Sequence, residues 1–485
     1  MSHRSRLTLT VLTLVAAGAF APQAQASGFQ LREQSPLSQG NAFAGISAGG
    51  GDISALFFNP AVMTQYNGTQ FSLGGTYVGL SAKFENGSGS RTPMLSGLGF
   101  NSTFLPISGA PNHGNAAISA VLPEFNIMYS VNKDLKVGLS LNVPFGLTTE
   151  YDSNWVGRYH ALKSDLRTID IAPSIAYRFS PEWSGGVAFI ARKADAELTN
   201  AVDYGTLLAS SAASGFIQAG VTPPSTAANM ALLIGATPGA YDGKGGLKGN
   251  GWGYGFKAGL VWEPNADLKV GLSHQGAMTM TLKGDATFEI PSTIPNAGPY
   301  FLANGLAAKG LKNGKGEAEL NLPATTSLGF DWKASPTFSL QGEVARTTWS
   351  RFKELRIKFD TGLTDSVTDE SWNDTTFISL GGTWKLNSEW TLRAGAAFDK
   401  SAVDDAHRTP RIPDNDRKWV SLGASYTISK KVSVDVGYSR LFISDGKVNL
   451  VSGSTPADPD VFRGNLSGSI KAAINILGAQ VRYSF

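Results

Sequence analysis

The sequence predicts an all-β protein, a transmembrane antiparallel β-barrel of fourteen strands. Three observations point there. At the C-terminus, Phe485, Tyr483, Val481, Ala479 and Leu477 share one face of an extended segment, while Ser484, Arg482, Gln480 and Gly478 share the other. The opposite end of the chain reads as an export signal. The same two-residue period recurs between the ends, in spans joined alternately by tight turns and long loops.

Residues 1–26 form the signal. Arg4 and Arg6 make its positive start, Leu7 to Phe20 its apolar run, and Ala24-Gln25-Ala26 a small-x-small cleavage site. That run is too short to span a bilayer, and no later stretch approaches the ~20 apolar residues a spanning helix needs. The formal net charge is +3, and loss of Arg4 and Arg6 leaves a nearly neutral chain with no charge case for nucleic acid. The chain has no cysteine, which excludes disulfides and thiolate metal sites. Charged residues make up only 16%, below the ~25% typical of water-facing domains, and glycine is abundant at 56 residues. A barrel wall fits that balance.

Fourteen strand candidates lie near 69–84, 115–131, 134–149, 167–180, 182–199, 248–263, 265–283, 316–334, 336–359, 373–386, 388–400, 416–430, 431–444 and 470–485. Turn chemistry separates every second pair, as in Asn132-Lys133-Asp134, Ser180-Pro181-Glu182 and Ser335-Pro336-Thr337. The other connections are long, with 200–247 and 284–315 the largest. Short turns on one side and long loops on the other are the periplasmic and extracellular faces of a bacterial outer-membrane barrel. The heptapeptide Asp134-Leu-Lys-Val-Gly-Leu-Ser140 returns as Asp267-Leu-Lys-Val-Gly-Leu-Ser273, each copy following a tight turn. Trp183, Trp262, Trp332, Trp384 and Trp390 lie beside the short turns, where hydrocarbon meets water.

Residues 27–68 break the rhythm. Ser35 to Gly51 is rich in Gly, Ala and Ser, Asp52 can cap a short helical run from Ile53 to Phe58, and Asn59-Pro60 stops it. A wide lumen leaks unless filled. This segment is expected to be an N-terminal hatch, with 69–485 forming the barrel.

Several motifs resemble the FadL family of outer-membrane transporters for long-chain fatty acids and other hydrophobic compounds. They are Ser27-Gly28-Phe29-Gln30-Leu31, Asn59-Pro60-Ala61, Pro144-Phe145-Gly146-Leu147-Thr148-Thr149-Glu150-Tyr151, Gly157-Arg158-Tyr159-His160-Ala161-Leu162, Thr348-Trp349-Ser350-Arg351-Phe352, and Arg411-Ile412-Pro413-Asp414-Asn415-Asp416-Arg417. They run the length of the chain after the signal. The resemblance implies capture of a hydrophobic ligand among extracellular loops, transfer to a deeper pocket, movement of the hatch and sideways release at a kink in strand three. The cargo is then a fatty acid or an aromatic hydrocarbon. The surroundings are outer-membrane lipid, and Phe485 is the terminal signal for the outer-membrane assembly machinery.

The residues supply local causes. Pro144 lacks an N–H and cannot complete a ladder, and Gly146 adds freedom beside Phe145. A plain bulge gives the same signature. Leu207, Leu208, Phe216 and Leu232, with Phe301 and Leu306, are the candidate capture residues, although long loops also need small cores of their own. Phe29, Leu31, Phe43, Phe57 and Phe58 are candidates for the inner pocket, and Asn59, Pro60 and Ala61 for the hatch motif. Arg192 has lumen-facing parity, so it either meets a cargo carboxylate or forms a lumen salt bridge. No second cation stands out in 360–374, where Asp360, Asp365, Asp369 and Glu370 dominate. The histidines His113, His160, His274 and His407 are scattered without a catalytic partner, so neither an enzyme nor a cofactor or metal site is expected. A general diffusion porin and an outer-membrane lipase are the rival classes.

Overall fold

The computed structural model describes residues 28–292, 306, 309–455, 458 and 460–485. The expected signal and Phe301 lie outside them. One antiparallel sheet closes on itself as fourteen staves. They are β1 (Thr69–Ser90), β2 (Ala120–Ser130), β3 (Leu135–Asn142 and Gly146–Glu150), β4 (Lys163–Arg178), β5 (Trp183–Asp203), β6 (Asp242–Trp262) and β7 (Leu268–Gln275 and Met278–Glu289). The second half has β8 (Gly314–Leu322 and Thr325–Lys333), β9 (Phe338–Thr347), β10 (Thr375–Lys385), β11 (Trp390–Asp399), β12 (Arg417–Thr427), β13 (Val432–Ile443 and Gly446–Leu450) and β14 (Asn465–Ser484). β1 pairs with β2 on one edge and with β14 on the other, from Gln70↔Ser484 to Ser90↔Asn465. That closure leaves the sheet no free edge, as a lipid-embedded sheet requires. Above the wall, Glu354–Phe359 and Ser366–Asp369 form a hairpin between β9 and β10.

The alternation read from the sequence sorts inside from outside. Tyr77, Phe189, Phe256, Leu380, Leu422 and Leu477 are exposed on the outer face, where hydrocarbon covers them. Ser72, Asn126, Asp170, Ser421 and Gln480 point inward and are buried. Near the short turns Trp183 stacks on Trp262 at 5.8 Å and Trp390 packs on Tyr426 at 4.8 Å.

Strand ends depart from expectation on the long-loop side. β5 and β6 continue to the pair Asp203↔Asp242, beyond the expected ends at 199 and 248. Asp242-Gly-Lys-Gly-Gly246 has no apolar period to read, yet its backbone completes the ladder. β2 begins at Ala120 rather than 115, because His113–Asn115 forms a separate short strand against β1.

Residues 28–66 pack against the inward faces of the staves. The short helix Pro36–Gln39 is capped by Ser35, whose hydroxyl accepts the Ser38 N–H at 3.1 Å. Asp52 caps the 3₁₀ turn Ile53–Phe57 through the Ser54 N–H at 3.3 Å. Asn59-Pro60 does more than end that turn. It opens another, Pro60–Gln65, with Asn59 Oδ1 accepting the Ala61 N–H at 2.9 Å. The wall is cleared for this body. A Cβ on Gly423 of β12 would lie 2.6 Å from Cα of Gly40, and one on Gly271 of β7 would overlap the Ser47 carbonyl. Gly138 holds the same place as Gly271 in the repeated heptapeptide and faces Met63 of the hatch, so the repeat marks positions where the wall must be thin.

Candidate transport site

The site begins at the break in β3. The ladder between β2 and β3 runs from Ser130↔Lys136 to Phe125↔Leu141. Their next bridge is Ala117↔Thr149. Between these points the wall has a gap, and the hatch fills the vacancy in the hydrogen bonding. Leu31 donates its N–H to the Pro144 carbonyl at 2.8 Å, and Gly146 donates to the Phe29 carbonyl at 3.0 Å. The Gln34 amide takes both polar groups of Val143, accepting its N–H at 3.1 Å and donating to its carbonyl at 2.8 Å. Phe145 is held from β4, its N–H donating to Thr168 Oγ1 at 3.0 Å. Every backbone group from Val143 to the Gly146 N–H is thus paired, although no neighbouring stave provides a continuous ladder.

Phe29 continues from this seam into a box of aromatic rings. Trp349 lies 4.8 Å away, Phe352 and Trp372 each 5.6 Å, and Phe145 5.9 Å. Gly28 adopts φ +63° with its Cα against the Trp372 ring, a place no side chain could share. Its N–H donates to Asp414 Oδ2 at 2.9 Å. Asp414 is fixed in turn by Arg417 and by the Ser401 hydroxyl. Two motifs distant in sequence, Thr348–Phe352 and Arg411–Arg417, therefore grip the first described residues of the chain.

Above the box a groove of about 1600 Å³ opens among the long loops. The helix Tyr204–Gln218 forms part of its wall and is backed by the helix Pro224–Leu233, with an apolar cluster that contains Leu207, Leu208, Phe216, Leu232 and Leu306. Leu207, Leu208 and Leu306 line the groove. Phe216 and Leu232 pack on the cluster without lining it. Arg91 and Asp203 tie the loops together at 2.7 Å, as do Arg158 and Asp242 at 2.6 Å.

The groove has a cationic floor. Arg411 and Arg463 line both the groove and a smaller chamber of about 290 Å³ behind it. Arg463 is paired with Asp460 at 2.6 Å. Arg411 is buried, and its hydrogen bonds go to neutral oxygens of Lys163, Ser164 and Asn200. Burial, then the repulsion of Arg463, holds its pKa down to about 9, so it is still a cation at neutral pH. Burial pushes nearby Glu370 up to about 8, which leaves that carboxyl largely protonated and the Arg411 charge uncancelled. His160, on the chamber wall, is driven down to about 3 by burial, and its neutral ring donates the Nε2–H to the Gly464 carbonyl at 3.0 Å.

The remaining expected residues fall in distinct places. Arg192 points inward with no exposure, bonded twice to Asp170 at 2.6 Å and lying over the Phe145 ring at 4.6 Å. Its charge is matched inside the wall, the second of the two roles its parity allowed. Phe43 packs between Phe58 and Trp419. Leu31, Phe57 and Phe58 line a small inner cavity beside Pro144. Asn59 pins the hatch to β6, donating to the carbonyls of Ser47 at 2.7 Å and Leu260 at 3.1 Å, while Pro60 and Ala61 press on Gly186 of β5. Arg411, Arg463, Trp372, Gln34 and Thr168 escaped the sequence reading as site residues. The loop 360–374 holds no Lys or Arg, and Arg411 and Arg463 come from two other long loops.

Fold and site define an outer-membrane barrel for the uptake of hydrophobic compounds, with a hatch in its bore. The chain belongs to the outer membrane protein transport protein family (OMPP1/FadL/TodX), whose model matches residues 17–485. It is 30% identical to the long-chain fatty acid transport protein of Salmonella typhi over 451 residues, 93% of this chain and 95% of that one. It is also 30% identical to the 47 kDa outer membrane protein of Pasteurella multocida over 485 residues, the whole of both. The crystal structure of a Pseudomonas aeruginosa FadL homologue matches with a TM-score of 0.80 at 25% identity, covering 94% of this chain and all of that one. The Pseudomonas putida toluene transporter TodX shares the fold, with a TM-score of 0.65 at 16% identity over 95% of this chain and all of TodX.

Proposed function

We propose that this protein carries long-chain carboxylic acids across the outer membrane. The acid lies with its tail in the apolar groove and its carboxylate against Arg411 and Arg463. It then passes the aromatic box as the hatch segment 28–34 shifts, and leaves sideways through the gap between β2 and β3. The observation that carries this reading is the buried, uncancelled Arg411 cation at the floor of an apolar groove. A neutral hydrocarbon has no use for that charge, whereas a carboxylate relieves the cost of burying it. A general porin is disfavoured by a bore occupied by the hatch. The aromatic contacts of Phe29 and its pairing with the broken stave support the route. They put one short segment across both the pocket and the exit.

Affinity of the purified protein for hexadecanoic acid and for hexadecan-1-ol tests the cargo class. Arg411→Gln is expected to weaken the acid by at least about tenfold, since removing one partner of a desolvated charge pair costs about 2–5 kcal/mol. The alcohol should be unaffected. Equal loss for both ligands would reject the acid reading.

A further inference from the structure

The outward face of β14 climbs from Tyr483 through Val481 and Leu477 to Ala473, and its next outward residue is Lys471. At about 3.3 Å per residue and a tilt of about 40°, the rise from Tyr483 to Ala473 is roughly 25 Å, the height of the apolar band of such a wall. Asn475, the one amide in that stretch, is satisfied by the Tyr438 hydroxyl, which donates to it at 2.9 Å. Lys471 therefore stands at the first position beyond the hydrocarbon, on the long-loop side.

The neighbouring staves are cationic at the same level. Lys83 of β1 is exposed and directly opposite Lys471. Lys418 of β12 is exposed and in register with Phe442 of β13, which pairs with Ala473. Arg440, one outward position below Phe442, aims its guanidinium upward, 5.6 Å from the centroid of that ring. A cation reaching out of hydrocarbon lies this way. Lys447 faces outward beside Ser469. Glu85 and Asp445 are the acids facing Lys471, and Glu85 pairs with it at 2.8 Å. Asp416 is taken by Lys400 at 3.2 Å. Among the described residues, Lys83, Lys418, Arg440 and Lys447 form no ion pair. Elsewhere on the rim outward cations have acids of their own, Lys193 with Asp195 at 3.7 Å, Lys283 with Glu317 at 3.4 Å and Arg346 with Asp374 at 3.2 Å. Like charges directly opposite across two strands destabilise the pair, and an anion between them removes that cost. Above the cations, Ser88 and Ser467 present hydroxyls 2.8 Å apart at the surface, next to exposed Asn449.

We propose that this rim of β12, β13, β14 and β1 docks a phosphorylated glycolipid of the outer leaflet. Lys83, Lys471 and Arg440 hold phosphate, with Lys418 and Lys447 on its flanks. The hydroxyls of Ser88 and Ser467 meet the sugar, and the acyl chains lie along the exposed Val436, Tyr438 and Leu477 below. The depth fits, because acyl chains that fill the apolar band bring the phosphate to the level of the ammonium groups. The charge fits as well, since four of the five cations have no protein partner to give up, and cations near a membrane surface attract anionic headgroups.

The purified protein in detergent is titrated with bisphosphorylated lipid A, its monophosphorylated form, phosphatidylglycerol and phosphatidylethanolamine, and bound lipid is counted by native mass spectrometry. Bisphosphorylated lipid A is expected to bind most tightly and phosphatidylethanolamine least. The triple variant Lys83→Gln, Lys471→Gln, Arg440→Gln should weaken bisphosphorylated lipid A by about tenfold or more while binding hexadecanoic acid as wild type does. Lys418→Gln with Lys447→Gln should give a smaller loss in the same direction, and this pair decides the matter if the triple variant does not fold. Lys193→Gln with Lys283→Gln, which removes two cations that already have acids, should leave lipid A binding unchanged. An equal loss in that last variant would mean that net charge alone attracts the lipid, and would overturn the site. Phosphatidylglycerol binding as tightly as lipid A would overturn it too, as would wild-type affinity for lipid A in both the triple variant and the Lys418, Lys447 pair.

Discussion

The N–H of Leu31 meets the carbonyl of Pro144 at 2.8 Å, so the broken stave of the barrel is completed by a residue of the hatch. Proline creates the need by withholding a donor and disrupting the ladder. The hatch meets it with a segment that also carries Phe29. Stopper and seam are therefore one object, and neither can move alone.

Restoring the donor should weaken that coupling. Pro144→Ala with Gly146→Ala is expected to let β3 run straighter and pair with β2. A regained ladder bond is worth about 1 kcal/mol, or about fivefold in an opening equilibrium. Uptake should fall by that order while binding in the groove stays intact. Unchanged uptake by a correctly folded double variant would discard sideways release.

Phe29→Ala should unseat the segment. Removing a buried aromatic side chain costs about 3–5 kcal/mol, and here the loss falls on the docking of residues 28–34. Exchange of the Leu31 and Gly146 amides should accelerate, and small solutes should leak through the bore in liposome swelling. Amides that keep their protection would show that the backbone pairing, not the ring, holds the seam.

Acid binding should depend on pH in a definite direction. Glu370, held near 8, is mostly neutral at pH 7, and Arg411, held near 9, is charged. Raising the pH from 7 to 9 first ionises Glu370 and then begins to discharge Arg411. Both changes disfavour a bound carboxylate; two unit charges ~10 Å apart at an effective dielectric near 20 interact by roughly 1–2 kcal/mol. Affinity for hexadecanoic acid should drop about tenfold across that range, while affinity for hexadecan-1-ol stays flat. Glu370→Gln should remove the first part of the drop. A flat profile for the acid would place the carboxylate elsewhere.

Gly423→Leu should expel the hatch without unfolding the barrel, because the new side chain points at Gly40 and makes no demand on the β12 ladder. Conductance in planar bilayers should rise. A silent variant would mean that the hatch shifts to accommodate the leucine.

Much of the wall was legible because one physical rule, lipid outside and polar groups inside, acts on every second residue. β14 shows it without exception from Leu477 to Val481. Where the rule stops acting, the sequence goes quiet. The glycine-rich start of β6 pairs through its backbone alone, so its extent could not be read. Register was equally hidden. Parity alone leaves Arg192 open to a cargo carboxylate or a lumen salt bridge, and only the register of β4 brings Asp170 directly opposite. The inner face of the wall leaves a trace of its own. Gly138, Gly271 and Gly423 recur at inward parity, where a lumen filled only with water would not require them.

Those backbone contacts also limit exchange between relatives. Where Gly40 meets Gly423 there is no side chain on either partner to trim or to yield. A hatch transplanted from a barrel of different inner relief should fail to seat, however similar its length and composition. Swaps between such proteins would have to carry lining and stopper together.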